Sequence, residues 1–297
     1  MKACDFDIIA NTGDQLGEIP TWDEREQALY WIDLLTPRMH RYSMRDGAIT
    51  SWTTPELLSA FAMREGGGFL VATRSHLAHY DPTDGSFELL VEPEAGNDSN
   101  FLNDGRCDRQ GRFWIGSGNL DMSQPTGLLH RYDPDGSLTQ MESGITLSNS
   151  IMWSPDSTLM YFCDSMRREF YVYDFDADTG TIANRRQFAT TERHGIPDGS
   201  IVDADGFLWN AEFDLSTERT TGFVVRYDPD GNVDRLIELP TCRPTALTFG
   251  GANLDTLFVV TSRYRMTDAD FEHQPLAGAV FALDVGVRGL VEPRFAG

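Results

Sequence analysis

The chain has 297 residues, 40% of them hydrophobic and 24% charged, which is enough for a large core and for one domain over residues 1–297. Its formal net charge of −22 disfavours a nucleic-acid partner, because phosphate backbones repel so acidic a protein. No apolar run approaches a membrane span and no signal-peptide pattern opens the chain. With cysteines that form no short-range pairs, this predicts a reduced, cytoplasmic protein without a membrane partner.

Polar turns followed by short aromatic and β-branched runs recur along the chain, while helical periodicity is almost absent. A strand that follows a hairpin has this pattern. In chain order the segments are WDEREQALYWID (22–33), REGGGFLVAT (64–73), DRQGRFWIGS (108–117), SPDSTLMYFCD (154–164), DADGFLWNAE (203–212) and GGANLDTLFVVTS (250–262).

A second series places an aromatic residue before a turn, and it contains the hexapeptide RYDPDG twice, at 131–136 and 226–231. Asp-Pro-Asp-Gly favours a hairpin turn, because glycine accepts a positive φ and aspartate bonds to the local backbone. We therefore interpret the hexapeptide as a structural turn that does not touch substrate. The aromatic positions of the series are Tyr42, Tyr80, Tyr132, Tyr173, Tyr227 and Phe281.

Both series occur six times, with units of roughly 40 to 54 residues that each hold several short strands. Repetition with this period predicts an all-β fold, a six-bladed β-propeller with four-stranded antiparallel blades. In such a fold the strand before each turn of the first series is the innermost one of its blade.

One position in each of these inner strands is polar although the residues after it are largely apolar. It lies five residues before the start of each turn, which is Asp23 in the first segment and the first residue of the segment in the others. The positions are Glu18, Ser59, Asn103, Asn149, Asp198 and Thr245. Convergent carboxylate and carboxamide oxygens suit a hard divalent cation. For any single position there is an alternative: the residue caps its strand and its polar group is solvated by water in the channel.

These residues lie in motifs that resemble the family of gluconolactonases, senescence marker protein 30 (regucalcin) and related sugar lactonases. The motifs cover nearly the whole chain and are LGEIPTWD (16–23), NDGRCDRQGRFWIGS (103–117), LSNSIMWSPD (147–156), PDGSIVDADGFLW (197–209) and PTALTFGGANLDTLFVVTS (244–262). The resemblance implies hydrolysis of a sugar-derived lactone, an aldonolactone, to the aldonic acid in a carbohydrate oxidation pathway.

The resemblance also implies roles for four residues. Glu18, Asn149 and Asp198 are expected to bind one divalent cation, with Asp198 also the catalytic base and Asn103 beside the metal and substrate. We expect Ca²⁺ first, with Zn²⁺, Mn²⁺, Mg²⁺ or Fe²⁺ as alternatives, since family members differ in their metal. A small-molecule lactone is the expected partner, and a monomer or weak homo-oligomer the expected state.

The chain departs from the family pattern near this site. Phe101 stands where relatives often carry a substrate-contacting arginine, and Ser150 replaces a common glycine. Sugar recognition is therefore expected to differ, with Phe101 on the substrate side. Arg243 and Arg263 flank inner-strand positions and are candidates for meeting an anionic substituent on the sugar. His194, just before GIPDG (195–199), is assigned to a surface loop.

Two other functions fit the same scaffold. One is a different metal-dependent hydrolase, acting on a phosphotriester or aryl ester, for which Phe61, Phe101 and Phe213 supply apolar surface. The other is a non-enzymatic calcium-binding or protein-binding propeller. Fold alone does not separate them, because propellers carry many functions.

Overall fold

The computed structural model describes residues 6–191, 195–216 and 219–297. In these residues it contains six four-stranded antiparallel sheets and almost no helix, which confirms the predicted six-bladed β-propeller. Five blades are consecutive in the chain, comprising β2–β5, β6–β9, β10–β13, β14–β17 and β18–β21. The sixth has the order β1-β24-β23-β22, so the first strand completes the blade of the last.

The first three blades and the initial strand have the following bounds: β1 (Phe6–Ala10), β2 (Gly17–Asp23), β3 (Ala28–Asp33), β4 (Arg38–Ser43), β5 (Ile49–Thr53), β6 (Leu58–Met63), β7 (Phe69–Thr73), β8 (Leu77–Asp81), β9 (Ser86–Val91), β10 (Asn100–Cys107), β11 (Phe113–Asn119), β12 (Gly127–Tyr132) and β13 (Leu138–Ile145).

The remaining elements include a 3₁₀ turn (Ser165–Arg167) and the short helix α1 (Asp268–His273). The strands are β14 (Ser148–Trp153), β15 (Leu159–Asp164), β16 (Glu169–Asp176), β17 (Thr181–Thr190), β18 (Ile196–Val202), β19 (Leu208–Phe213), β20 (Gly222–Tyr227), β21 (Val233–Leu239), β22 (Pro244–Gly250), β23 (Thr256–Thr261) and β24 (Val280–Asp284). Among the described residues, no helix is long and apolar enough to cross a membrane.

Both copies of RYDPDG form the turn between the third and fourth strands of a blade, as predicted. In the first copy the backbone N–H of Asp133 bonds to the carbonyl of Ser137 at 2.9 Å, and Gly136 has φ +87°. In the second copy Gly231 has φ +82°. Glycine is the residue that adopts this backbone region without strain. The aromatic residues of the second series all lie in third strands.

A buried charged network ties the turn before β19 to its blade. Asp203 is completely buried and accepts hydrogen bonds from Trp209 Nε1 at 2.8 Å and Arg226 Nη2 at 2.6 Å. The third blade repeats it with Asp108, which accepts from Trp114 Nε1 at 3.0 Å and Arg112 Nε at 2.6 Å. Trp114 and Trp209 are thus both buried and held in place through their indole N–H groups.

The chain divides into two compact units of three blades each. The first unit comprises Met1–Trp52 and Ala189–Val291, and the second comprises Thr53–Phe188 and Glu292–Gly297. Within the first unit β22 packs between β18 and β2, and within the second unit β10 packs between β6 and β14. The first strands of the blades are therefore neighbours inside each unit, as a propeller requires. The single domain over 1–297 stays a prediction.

Candidate functional site

The six positions found by the five-residue offset all lie in the first strand of a blade, and at each of them the pairing register with the second strand breaks. The breaks fall at Glu18/Thr21, Leu58/Ala60, Leu102/Gly105, Asn149/Met152, Pro197/Ser200 and Pro244/Ala246. A β-bulge turns a side chain away from the regular pleat and is common beside active sites. The shared sequence phase therefore corresponds to a shared backbone irregularity.

Two of the bulges hold a residue other than glycine in the left-handed region. Ile19 has φ +50° and Ser150 has φ +61°, each directly after a predicted metal ligand, Glu18 or Asn149. For a β-branched residue such as isoleucine this conformation is an outlier that costs free energy. Strain of this kind persists where the surrounding structure enforces it, and it marks these two bulges as candidate functional sites.

In the second unit the structure brings Asn103 and Asn149 into contact. The Asn103 amide nitrogen donates to Asn149 Oδ1 at 3.2 Å and to the carbonyl of Ser148 at 2.9 Å. The Asn149 amide nitrogen donates to Ser165 Oγ at 2.8 Å. These bonds fix which face of the buried Asn149 amide carries the oxygen, and that oxygen is the atom a cation would bind.

Asp104 connects the bulges that contain Asn103 and Asn149. Its Oδ2 accepts a hydrogen bond from the backbone N–H of Ile151 at 3.2 Å, so it links β10 to the strained segment after Asn149. Burial raises the pKa of the Asp104 carboxyl, and the nearby charge of Arg106 opposes that rise. The residue braces the loop, as its sequence position suggested.

In the first unit the segment before Glu18 is held by two side chains. Asp33 accepts hydrogen bonds from the backbone N–H groups of Gln15 at 2.9 Å and Leu16 at 3.0 Å. Thr245 donates its hydroxyl to the carbonyl of Gly17, from the neighbouring strand β22. Glu18 itself is buried, at 8% exposure. Thr245, the sixth offset position, thus serves to fix the backbone beside Glu18.

Asp198 is half-buried and lies in the bulge of β18, and Asn210 in β19 holds that bulge. The Asn210 amide nitrogen donates to the carbonyls of Asp198 at 3.0 Å and Gly199 at 3.2 Å. Sequence reasoning missed Asn210, because nothing in its own strand distinguishes it from a core position. Its place opposite the register break is the signal that identifies it.

Arg243 and Arg263 both lie in the first unit. Arg243 directly precedes β22 and Arg263 follows β23, so both are at the edge of the blade where β22 has its bulge. Arg243 is completely buried, with Nε bonded to the carbonyl of Asp214 at 3.2 Å. Arg263 is half-buried, with Nε bonded to the carbonyl of Ala277 at 2.9 Å and its guanidinium 5.1 Å from the ring centroid of Phe271. Of the two side chains, Arg243 has a buried nitrogen, Nη1, that forms no hydrogen bond with the described residues.

Phe101 lies in β10 and lines a cavity of about 10 Å³, enough for about one water molecule. Arg74 and Glu94 line the same cavity, and the backbone N–H of Leu102 donates to the Arg74 carbonyl at 2.8 Å. Arg74 was not singled out by the sequence, although it places a cation beside Phe101. His194 lies outside the described residues.

The predicted ligand set suits a hard cation by its chemistry, since it supplies two carboxylates and one amide oxygen. In the described part of the chain no cluster of three or more His, Cys, Asp or Glu side chains could hold a metal ion. That absence does not bear on the set, because its third member is the Asn149 amide. Glu18 and Asp198 belong to the first unit and Asn149 to the second, so their joint use stays a prediction.

Comparison with known proteins places these features in one family. The family model described as SMP-30/gluconolactonase/LRE-like region matches residues 16–263. The chain is 40% identical to a 6-deoxy-6-sulfogluconolactonase of Pseudomonas putida, covering 95% of both chains. It is 37% identical to an L-arabinolactonase of Azospirillum brasilense, covering 98% of this chain and 95% of that one.

A solved structure shows the same fold over the full length. It is a calcium-binding protein, regucalcin, from Agrobacterium tumefaciens, with a TM-score of 0.92 and 29% identity, covering 100% of both chains. Fold and family therefore agree over the stretch that holds every candidate residue discussed above.

Proposed function

Because the chain belongs to the SMP-30/gluconolactonase/LRE-like family, we propose that it hydrolyses a sugar-derived lactone to the open aldonic acid in a carbohydrate oxidation pathway. The observation that carries this proposal is its similarity, over nearly the whole chain, to two proteins named as lactonases of sugar acids. Such proteins are hydrolases of a cyclic ester, and the substrate is a small molecule.

One divalent cation is part of the proposal, with Glu18, Asn149 and Asp198 as its ligands and Ca²⁺ as the first candidate. The calcium-binding solved relative supports this choice of ion. A cation at these oxygens supplies a Lewis acid for the lactone carbonyl and lowers the pKa of a bound water. Glu18 and Asp198 balance its charge, and the fixed orientation of the Asn149 amide presents a neutral oxygen.

Asp198 is the proposed general base, because its bulge is held rigidly through Asn210 while its carboxylate stays half-buried. It accepts a proton from the attacking water as the new C–O bond forms. When the ring C–O bond then breaks, this proton passes to the leaving ring oxygen, which becomes a hydroxyl, and the new carboxylic acid loses its own proton to solvent and leaves as a carboxylate. Asn103, whose amide N–H groups hold Asn149 and the Ser148 carbonyl, is proposed to orient water or substrate through its own amide oxygen. Phe101 and Arg74, which line one cavity, are proposed to shape the sugar-binding side.

The test of the proposed function uses metal-stripped protein and a panel of neutral and anionic aldonolactones, with single cations restored one at a time. Lactones open spontaneously, so the signal is the rate above the uncatalysed background. We expect cation-dependent acceleration on at least one lactone. Cation binding without acceleration of any lactone would contradict the proposal and favour a non-enzymatic calcium-binding propeller.

Asp198→Asn tests the assignment of the base. We expect turnover to fall at least about a hundredfold, since general-base catalysis contributes 10²–10⁴, while a cation still binds. Asp230→Asn, at an exposed turn position, is the matched control and should retain full activity. Near-normal activity of Asp198→Asn would remove Asp198 from this role. A cytoplasmic location and a monomeric or weakly oligomeric state stay predictions.

A further inference from the structure

The guanidinium of Arg243 is a buried cation without a charged partner in the described residues. Its side chain is 0% exposed, and its two hydrogen bonds go to backbone carbonyls, from Nε to Asp214 at 3.2 Å and from Nη2 to Leu215 at 3.5 Å. Its Nη1 is buried and has no hydrogen-bond partner among the described protein atoms. A buried, unpaired charge is among the most costly groups in a protein, so its presence calls for an explanation.

Among the described residues no carboxylate forms an ion pair with this guanidinium. The carboxylate of Asp214 accepts from the backbone N–H of Ser216 at 2.8 Å and pairs with Arg219 Nε at 3.5 Å. Asp270 is held by hydrogen bonds from Thr267, which lower the pKa of its carboxyl, and the charge of Arg243 adds to that effect without a direct contact. The other neighbour of the guanidinium is the ring of Phe213, with its centroid 5.8 Å away. The hydroxyl of Thr241, two residues earlier and also fully buried, lacks a partner as well. Two buried hydrogen-bond donors, Arg243 Nη1 and the Thr241 hydroxyl, are therefore without acceptors among the described residues.

These two donors lie next to the bulge that carries Asp198. Phe213 pairs with Ile196, two residues before Asp198 in β18. Arg243 directly precedes β22, and a Cβ atom placed on Gly199 would lie 2.6 Å from the Cβ of Ala246 in that strand. Arg243 and Asp198 thus belong to neighbouring segments of one unit. Leu215, whose carbonyl accepts a hydrogen bond from Nη2, is itself 43% exposed, so the segment that covers the guanidinium lies at the protein surface.

From this geometry we propose that the lactone substrate carries an anionic substituent and that Arg243 binds it through Nη1. The proposal rests on the lactonase function above and specifies its substrate class. A chain with net charge −22 repels an anionic substrate in general, so its recognition requires a dedicated local cation. Sulfonate, phosphate and carboxylate share the acceptor oxygens that a guanidinium prefers.

The experiment compares glucono-1,5-lactone with its 6-deoxy-6-sulfo, 6-phospho and 6-carboxylate counterparts, in wild type and in Arg243→Gln. We expect wild type to prefer at least one anionic lactone, and Arg243→Gln to lose about 10- to 100-fold in kcat/KM on it, the size of one hydrogen bond to a charged group. The rate on the neutral lactone should change little. Arg265→Gln, at an exposed arginine, is the matched control.

A second readout does not depend on turnover. The product of the preferred anionic lactone, a sugar acid that keeps the sulfonate, phosphate or second carboxylate, should raise the Tm of wild type and not that of Arg243→Gln. If the Gln variant fails to fold, Arg243→Lys takes its place, because it keeps the charge while losing the planar fork and should retain an intermediate anion preference.

The outcomes separate the two proposals. Wild type that hydrolyses the neutral lactone as well as every anionic one, or Arg243→Gln that loses equally on both, overturns the role of Arg243 and leaves the lactonase function standing. Absence of acceleration on every lactone overturns both. The three anionic groups distinguish a sulfonate, a phosphate and a carboxylate as the preferred substituent.

Discussion

The side-chain amide of the buried Asn210 donates a hydrogen bond to the backbone carbonyl of Asp198 over 3.0 Å. The same nitrogen lies 2.8 Å from the hydroxyl of Ser200, so one amide spans the whole bulge of β18. The position of the proposed base is therefore set from the second strand of its blade, by a residue that is not itself proposed to touch substrate.

Asn210→Leu keeps the branched outline of the side chain, with a somewhat larger volume, and removes these bonds. We expect the free energy of unfolding to fall by about 1–3 kcal/mol, because buried carbonyls lose their donor, and kcat to fall by at least tenfold with a smaller change in KM. Urea denaturation and steady-state kinetics measure the two effects. Ser154→Ala, which removes buried hydroxyl bonds in the hairpin turn after β14, is the control and should lose stability alone. Equal kcat in Asn210→Leu and wild type would contradict the positioning role.

Ile19→Gly tests the strain beside Glu18. The left-handed conformation of Ile19 costs about 1–2 kcal/mol, and glycine removes that cost. The gain is offset by the greater entropy of glycine in the unfolded chain, about 0.5–1 kcal/mol. We therefore expect nearly unchanged stability and reduced activity, because Glu18 is held less firmly.

The matched control for Ile19→Gly is Ile182→Gly in β17, which removes another partly buried isoleucine from a strand position without a positive φ. It should destabilise the protein more than Ile19→Gly does. The reverse order of the two unfolding free energies would show that the conformation of Ile19 is not strained.

Asp203→Asn removes the fully buried partner of Arg226, whose guanidinium keeps the more exposed Asp234 at 2.9 Å and Asp205 at 3.8 Å. Removing one partner of a buried ion pair costs about 3–5 kcal/mol, and the remaining carboxylates offset part of that cost, so we expect a clear but smaller drop in the urea midpoint. Asp230→Asn, in the exposed turn between β20 and β21, is the comparison and should change stability little. A similar drop in the urea midpoint of both variants would show that the buried carboxylate of Asp203 stabilises the fold no more than the exposed one of Asp230.

The buried His130 predicts a pH dependence of stability. Burial lowers the pKa of His130 in the folded protein, against the opposing charge of Glu94. A histidine with a lowered folded pKa contributes stability that is present above the unfolded pKa of about 6.5 and is lost as the pH falls below it. The free energy of unfolding should thus decrease as the pH falls below about 6.5, by no more than about 1.4 kcal/mol per pH unit from this group.

His130→Gln should flatten this dependence. Urea denaturation of wild type and variant at a series of pH values provides the comparison. Parallel curves for the two proteins would assign the pH dependence to other groups.

Much of the fold could be predicted because its signals are local. The turn residues in both RYDPDG copies and the aromatic positions such as Tyr132 and Tyr227 specify hairpins within a few residues of sequence, and six repeats of that unit predict a propeller. The offset worked for the same reason, since each bulge lies a fixed distance before a hairpin turn.

Partners that are distant in the chain could not be predicted in this way. Thr245 donates to the carbonyl of Gly17 across 228 residues of sequence, and Asn103 meets Asn149 from another blade. The positive φ of Ile19 also has no local signal, because isoleucine avoids that region in an unconstrained chain. Such features depend on packing between strands, and no short motif records it.

The pairing of β1 with β24 sets an order on synthesis. Residues 6–10 are synthesised before every other strand of the structure, and their partners at 280–284 after all of them. The blades formed by residues 58–190 are continuous in sequence and need no such wait. During translation β1 therefore lacks its partner while the later blades form around their own hairpins. Only the synthesis of β24 removes this open edge, which is otherwise a template for association with another chain.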